Sequence, residues 1–137
     1  MKNPYNAGPL NLEVGDIPWL ETMDPAVQDG VFVYAFRVIA ERAHGNAVDK
    51  KFWEEERNTG ELIALMHSEL SEALEAARHG NPADHHLPGF DSLSVELADC
   101  IIRIMDMAAG FDLPVAEALI SKMAFNASRP PKHGKEF

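Results

Sequence analysis

The chain has a single cysteine, Cys100, which excludes an intrachain disulfide. Because it sits in the apolar run Cys100-Ile101-Ile102, it is expected to be a small buried hydrophobe, and the fold needs no oxidising compartment. Cations are scarce as well: 12 Lys and Arg stand against 22 Asp and Glu, a formal net charge of −10. That balance argues against a nucleic-acid polymer as partner, which would be repelled at long range, and favours multivalent cations. Long hydrophobic runs are missing. The longest apolar stretch, Val31 to Ala40, is broken by Arg37 and falls far short of the roughly 20 residues of a membrane span. No apolar core of a signal peptide follows Met1 to Asn6, so a cytoplasmic protein without a membrane partner is expected. Sustained period-two alternation is absent too, which excludes half-buried strands and leaves an all-α fold.

At 137 residues, 46% of them hydrophobic, the chain suits one globular domain. Residues 1–24 carry Pro4, Pro9 and Pro18 with Gly8 and Gly15, so an extended arm is expected there, pinned by Trp19 and Leu20. Four helical segments follow within residues 25–137. The first starts where Asp24 can cap and Pro25 can occupy the first turn, then runs toward Gly45. Thr59 can cap a second helix over about Glu61 to His79, with Gly80 as its stop. After a breaker-rich loop over 80–91, a third begins after Asp91 or Ser92 and ends at Gly110. Asp112 and Pro114 start a fourth, ending near Ser128.

Acidic pairs carry the chemistry. In the second helix Glu69 and Glu72 are i and i+3, so they rise from adjacent turns of one face. At about 100° per residue Glu69 falls inside the apolar stripe of Leu62, Leu65, Met66, Ala73 and Ala76, where a lone carboxylate loses several kcal/mol of solvation and needs a compensating partner. Glu96 and Asp99 repeat the spacing in the third helix. Antiparallel contact between the two helices would point all four inward. Ser92, Glu96, Asp99, Arg103 and Asp106 form a polar stripe that could instead face water, but the rest of that helix is apolar nearly all round, as in a helix enclosed by neighbours. Oxygen-only ligands suit a hard cation such as Mg²⁺. Four carboxylates on one site would repel one another without an ion, so Glu69→Gln is expected to stabilise the metal-free protein.

The stretch from Phe52-Trp53 to Gly80, with Glu96 to Asp106, resembles the MazG-like members of the all-α nucleoside triphosphate pyrophosphatase superfamily. Their signature, E-x-x-E followed by E-x-x-D, is matched by Glu69, Glu72, Glu96 and Asp99, within the longer strings His67-Ser68-Glu69-Leu70-Ser71-Glu72-Ala73 and Leu97-Ala98-Asp99. Glu72-Ala73-Leu74-Glu75 offers a shifted E-x-x-E, but the preceding His-Ser favours Glu69 with Glu72. The tail Asn126 to Lys135 agrees as well. The resemblance covers roughly residues 50–137 and implies a four-helix-bundle-like domain in which the four acidic residues bind Mg²⁺, with Mn²⁺ as a substitute, and carry catalysis. The implied reaction is hydrolysis of a nucleoside triphosphate between its α and β phosphorus atoms.

Between Lys122 and Lys135 the chain has four cations and no acidic residue. Lys122, Asn126, Arg129, Lys132, His133 and Lys135 are the candidate phosphate ligands, Arg offering a fork and Lys a mobile charge. A solvated, fraying terminus is the plain alternative. Trp53 is a candidate to stack on the base, although an aromatic residue at a helix start more often belongs to the core. His85-His86 show no zinc spacing, and Glu41-Arg42-Ala43-His44 is a single E-x-x-H where a di-iron bundle needs two. Because four helices of this length cannot easily cover a third helix that is apolar on nearly every side, a homodimer or homotetramer is expected. The competing expectation is a non-catalytic helical oligomer that binds nucleotide or metal as a sensor.

Overall fold

The computed structural model describes Trp19 and residues 22–130, so most of the N-terminal arm and the tail from Pro131 lie outside the described residues. Among them, regular structure is helical: α1 spans Pro25–Asp49, α2 Thr59–Arg78, α3 Ser92–Gly110 and α4 Val115–Ala127. The only pairing of extended backbone there is an isolated antiparallel bridge between Ala83 and Asp91.

Local chemistry sets most of the ends. The Asp24 carboxylate accepts the Ala26 N–H with Pro25 in the first turn of α1, and Asp91 Oδ1 accepts the Ser94 N–H at the start of α3. Three ends differ from the sequence-based expectation. α1 runs through Gly45 to Asp49, and the helix yields only where Lys51 turns to φ 68°. α2 is capped by Asn58, whose Oδ1 accepts the Glu61 N–H, and Thr59 is its first residue. α4 has no side-chain cap; Asp112 sits at φ 51° in the turn before it. After α2, Gly80 at φ 79° ends the helix as expected, since an L side chain rarely takes that conformation.

α3 is the central helix, packed against both α1 and α2, while α4 lies against α1. In the α2–α3 pair Glu72 stands opposite Glu96 and Glu69 opposite Arg103, so numbers rise along one helix as they fall along the other and the pair is antiparallel. The loop between them is fastened to α3: Asn81 Nδ2 donates to Asp91 Oδ1 at 2.8 Å, and Asn81 Oδ1 accepts the Leu93 N–H at 2.8 Å.

The buried apolar side chains are Ala40, Leu62, Ala73, Cys100, Ala108 and Ala116, and among the described residues no large side chain is fully buried. Cys100 is a buried free thiol, as expected. Enclosure of α3 is only partial, because Leu97, Ile101 and Ile102 remain exposed. Trp19, expected to pin the arm, is 59% exposed; Leu20 lies outside the described residues.

Candidate metal centre

Helix geometry brings the first acidic pair and half of the second together. One carboxylate oxygen from each of Glu69, Glu72 and Glu96 lies within 4.8 Å of the others. An octahedral ion with bonds of about 2.1 Å separates its ligand oxygens by about 3–4 Å, so a small closure of the three side chains would fit such an ion. Asp99 is not in this cluster. It lines the same cavity, of about 660 Å³, with Asp84 from the loop between α2 and α3.

Glu69 is the buried member, 6% exposed, as its place in the apolar stripe requires. Its compensating partner is Arg103, one turn beyond Asp99 on α3: Nε donates to Glu69 Oε1 at 2.6 Å, and Nη2 lies 2.5 Å from the same oxygen. Arg103 already compensates the buried carboxylate, which removes the ground for the expected gain from Glu69→Gln: the substitution relieves no uncompensated anion, and the Arg103 side chain, 40% exposed, can turn to water.

The electrostatics are those of crowded carboxylates. Burial, then the charges of Glu72, Asp99, Glu69 and Asp84, hold the Glu96 carboxyl above its ordinary value. Asp99 is raised by desolvation and by Glu69, with Arg103 opposing. Both groups give up their protons reluctantly, and a cation favours their ionised forms.

Asp84 is the residue that sequence reasoning missed. Only 8% exposed, it accepts the N–H groups of His86 and Leu87 at 2.9 and 2.7 Å, while the Asp84 N–H donates to Phe90 O. The signal was available: an Asp two residues after Pro82 in a breaker-rich loop is a standard acceptor for the backbone just beyond it. His85 and His86 are exposed and stand at the same cavity wall.

Trp53 lies elsewhere. Its indole packs edge-on against His44 and Phe111, and its N–H donates to Asp106 at 2.9 Å, which fastens the segment between α1 and α2 to α3. Nor does the carboxylate cavity include Lys122, Asn126 or Arg129. Lys122 and Arg129 both sit over the Phe125 ring, 4.7 and 5.7 Å from its centroid. Lys132, His133 and Lys135 lie outside the described residues.

A second cavity, of about 430 Å³, adjoins the first through Asp99, and Arg103 lines the second. Phe52, Leu62, Leu65 and Ile102 supply apolar wall, and Asn46 and Asp106 polar groups. No helix among the described residues is long and apolar enough to cross a membrane. Comparison of the chain with protein-family models, curated proteins and solved structures finds no match, so the site is read from its own geometry.

Proposed function

We propose that the protein is a Mg²⁺-dependent nucleoside triphosphate pyrophosphohydrolase of the MazG-like kind, which cleaves a ribo- or deoxynucleoside triphosphate into nucleoside monophosphate and pyrophosphate. The observation that carries this reading is the convergence of Glu69, Glu72 and Glu96 from two antiparallel helices, with Asp99 and Asp84 on the same cavity wall. An oxygen-only set of this charge fits Mg²⁺, or Mn²⁺ in its place, and the bound ion would neutralise phosphate charge and polarise the scissile phosphoryl group.

The chain's own side chains divide the remaining work. Glu69, Glu72 and Glu96 would hold the ion. Asp99, which borders both cavities, is assigned the hydrogen bond that orients the attacking water. The adjoining cavity, apolar with a few convergent polar groups, suits a nucleoside. The exposed apolar side chains of all four helices are assigned to contacts with further copies of the chain, as homodimer or homotetramer.

One observation favours the non-catalytic alternative, a helical sensor of nucleotide or metal: within one chain the α4 cations Lys122 and Arg129 do not line the carboxylate cavity. A panel of nucleoside triphosphates assayed for pyrophosphate release with Mg²⁺ separates the two. Release from at least one nucleotide, abolished by Glu96→Gln, is expected; cation binding without release from any of them would leave the sensor.

A further inference from the structure

We propose that Arg103 is a displaceable counter-ion: it neutralises Glu69 while the site holds no cation, and on cation binding it leaves Glu69 to take a phosphate group at the junction of the two cavities. The inference rests on the cation site proposed above and adds a role for a residue outside the acidic signature.

The Arg103–Glu69 pair is asymmetric. Glu69 has a side chain only 7% exposed and cannot leave, whereas the Arg103 side chain is 40% exposed and can withdraw its head toward water at little cost. Both contacts converge on one oxygen, Oε1, so the guanidinium fork is not seated on both oxygens of the carboxylate. A divalent cation bound to the same carboxylate would stand within a few ångströms of the guanidinium, and like charges that close repel. One compensating charge is enough for Glu69, and the cation supplies it.

Arg103 also forms part of the second cavity, beside Asp99, which borders both. A released guanidinium therefore stays between the carboxylates and the space assigned to the nucleoside. Phosphates joining an ion to a nucleoside must cross that place, and Arg presents several donors to phosphate oxygens there.

The test uses the full-length protein and two binding measurements, with no turnover involved. Mn²⁺ affinity is measured by titration calorimetry for wild type, Arg103→Gln and Arg103→Lys at a pH where carboxylates are ionised. The affinity of each Mn²⁺-loaded protein for inorganic pyrophosphate is then measured. Arg103→Gln should bind Mn²⁺ about tenfold more tightly and pyrophosphate about tenfold more weakly, the size expected when one charge-assisted contact is removed from each competition. Arg103→Lys, which keeps the charge without the fork, should be intermediate in both, and it decides the matter alone if Arg103→Gln does not fold. A purely structural Arg103 would loosen both ligands or neither, and either result overturns the proposal. Absence of Mn²⁺ binding by the wild type overturns the carboxylate site itself, and the proposal with it.

Discussion

Asp106 Oδ1 accepts the Trp53 indole N–H at 2.9 Å and lies 2.8 Å from His44 Nδ1, so one carboxylate on α3 ties down α1 and the segment that follows it. Asp106→Ala leaves both partners half-buried without their acceptor. It should cost about 1–3 kcal/mol. Chemical denaturation checks the loss, and tryptophan emission in the native state should shift to the red as the ring loosens.

Two glycines in helices should respond to alanine with opposite signs. A Cβ at Gly110 would meet three carbons of the Trp53 ring well inside contact distance, so Gly110→Ala is expected to destabilise by about 1–3 kcal/mol despite the better helix propensity. At Gly45, inside α1, a Cβ meets nothing within 4 Å, and Gly45→Ala should stabilise by about 0.5–1 kcal/mol. Thermal melts of the two variants beside wild type test both signs.

The contrast between these glycines shows what was legible in the sequence. Helical periodicity located all four helices, Asp24 and Asp91 cap α1 and α3 as expected, and Gly110 ends α3. Gly45 did not end α1, because a glycine is a stop only where the chain turns to positive φ, as Gly80 does, and that turn depends on the packing of the residues beyond it. Glu69 was legible as a buried charge from its stripe. Its partner was not: Arg103 lies 34 residues away, and only the register of α2 against α3 brings them together. The local turn at Asp84 was legible, but its place at the cavity was not, since the loop's fastening through Asn81 to Asp91 and Leu93 carries it there.

Raised carboxyls make the metal-free protein sensitive to pH in a definite direction. Glu96 and Asp99 hold their protons to higher pH in the folded state than at their ordinary values of 4.5 and 3.8. The folded state then binds more protons than the unfolded chain, so their contribution is fully present below those values and is lost as pH rises through the raised ones. Asp91, lowered chiefly by its hydrogen bonds from Asn81 and Ser94, acts in the opposite sense. Melting temperatures in chelator should therefore fall less with rising pH in Glu96→Gln than in wild type, and saturating Mg²⁺ should remove most of that difference.

Val27, Val31, Tyr34 and Val38 follow one face of α1 at helical spacing, and all are exposed in the single chain, Tyr34 by 72%. Wild-type protein at micromolar concentration is expected to scatter light as a dimer or tetramer of the 15.1 kDa chain. The double substitution Val31→Asp and Val38→Asp should shift that population toward monomer. A wild-type monomer would contradict the assignment of these faces to self-association.

On the proposed reading, the carboxylates of α2 and α3 hold a cation that drives cleavage between the α and β phosphorus atoms. Phosphorus NMR of a nucleoside triphosphate incubated with the protein and Mg²⁺ tests it most directly, with two controls: excess chelator, and Glu72→Gln, an exposed change that leaves the Arg103–Glu69 pair in place. Resonances of nucleoside monophosphate and pyrophosphate are expected to grow in equal amounts with Mg²⁺, and neither is expected in the controls. Products that include orthophosphate and nucleoside diphosphate, or monophosphate and pyrophosphate that form equally well in chelator, would contradict it.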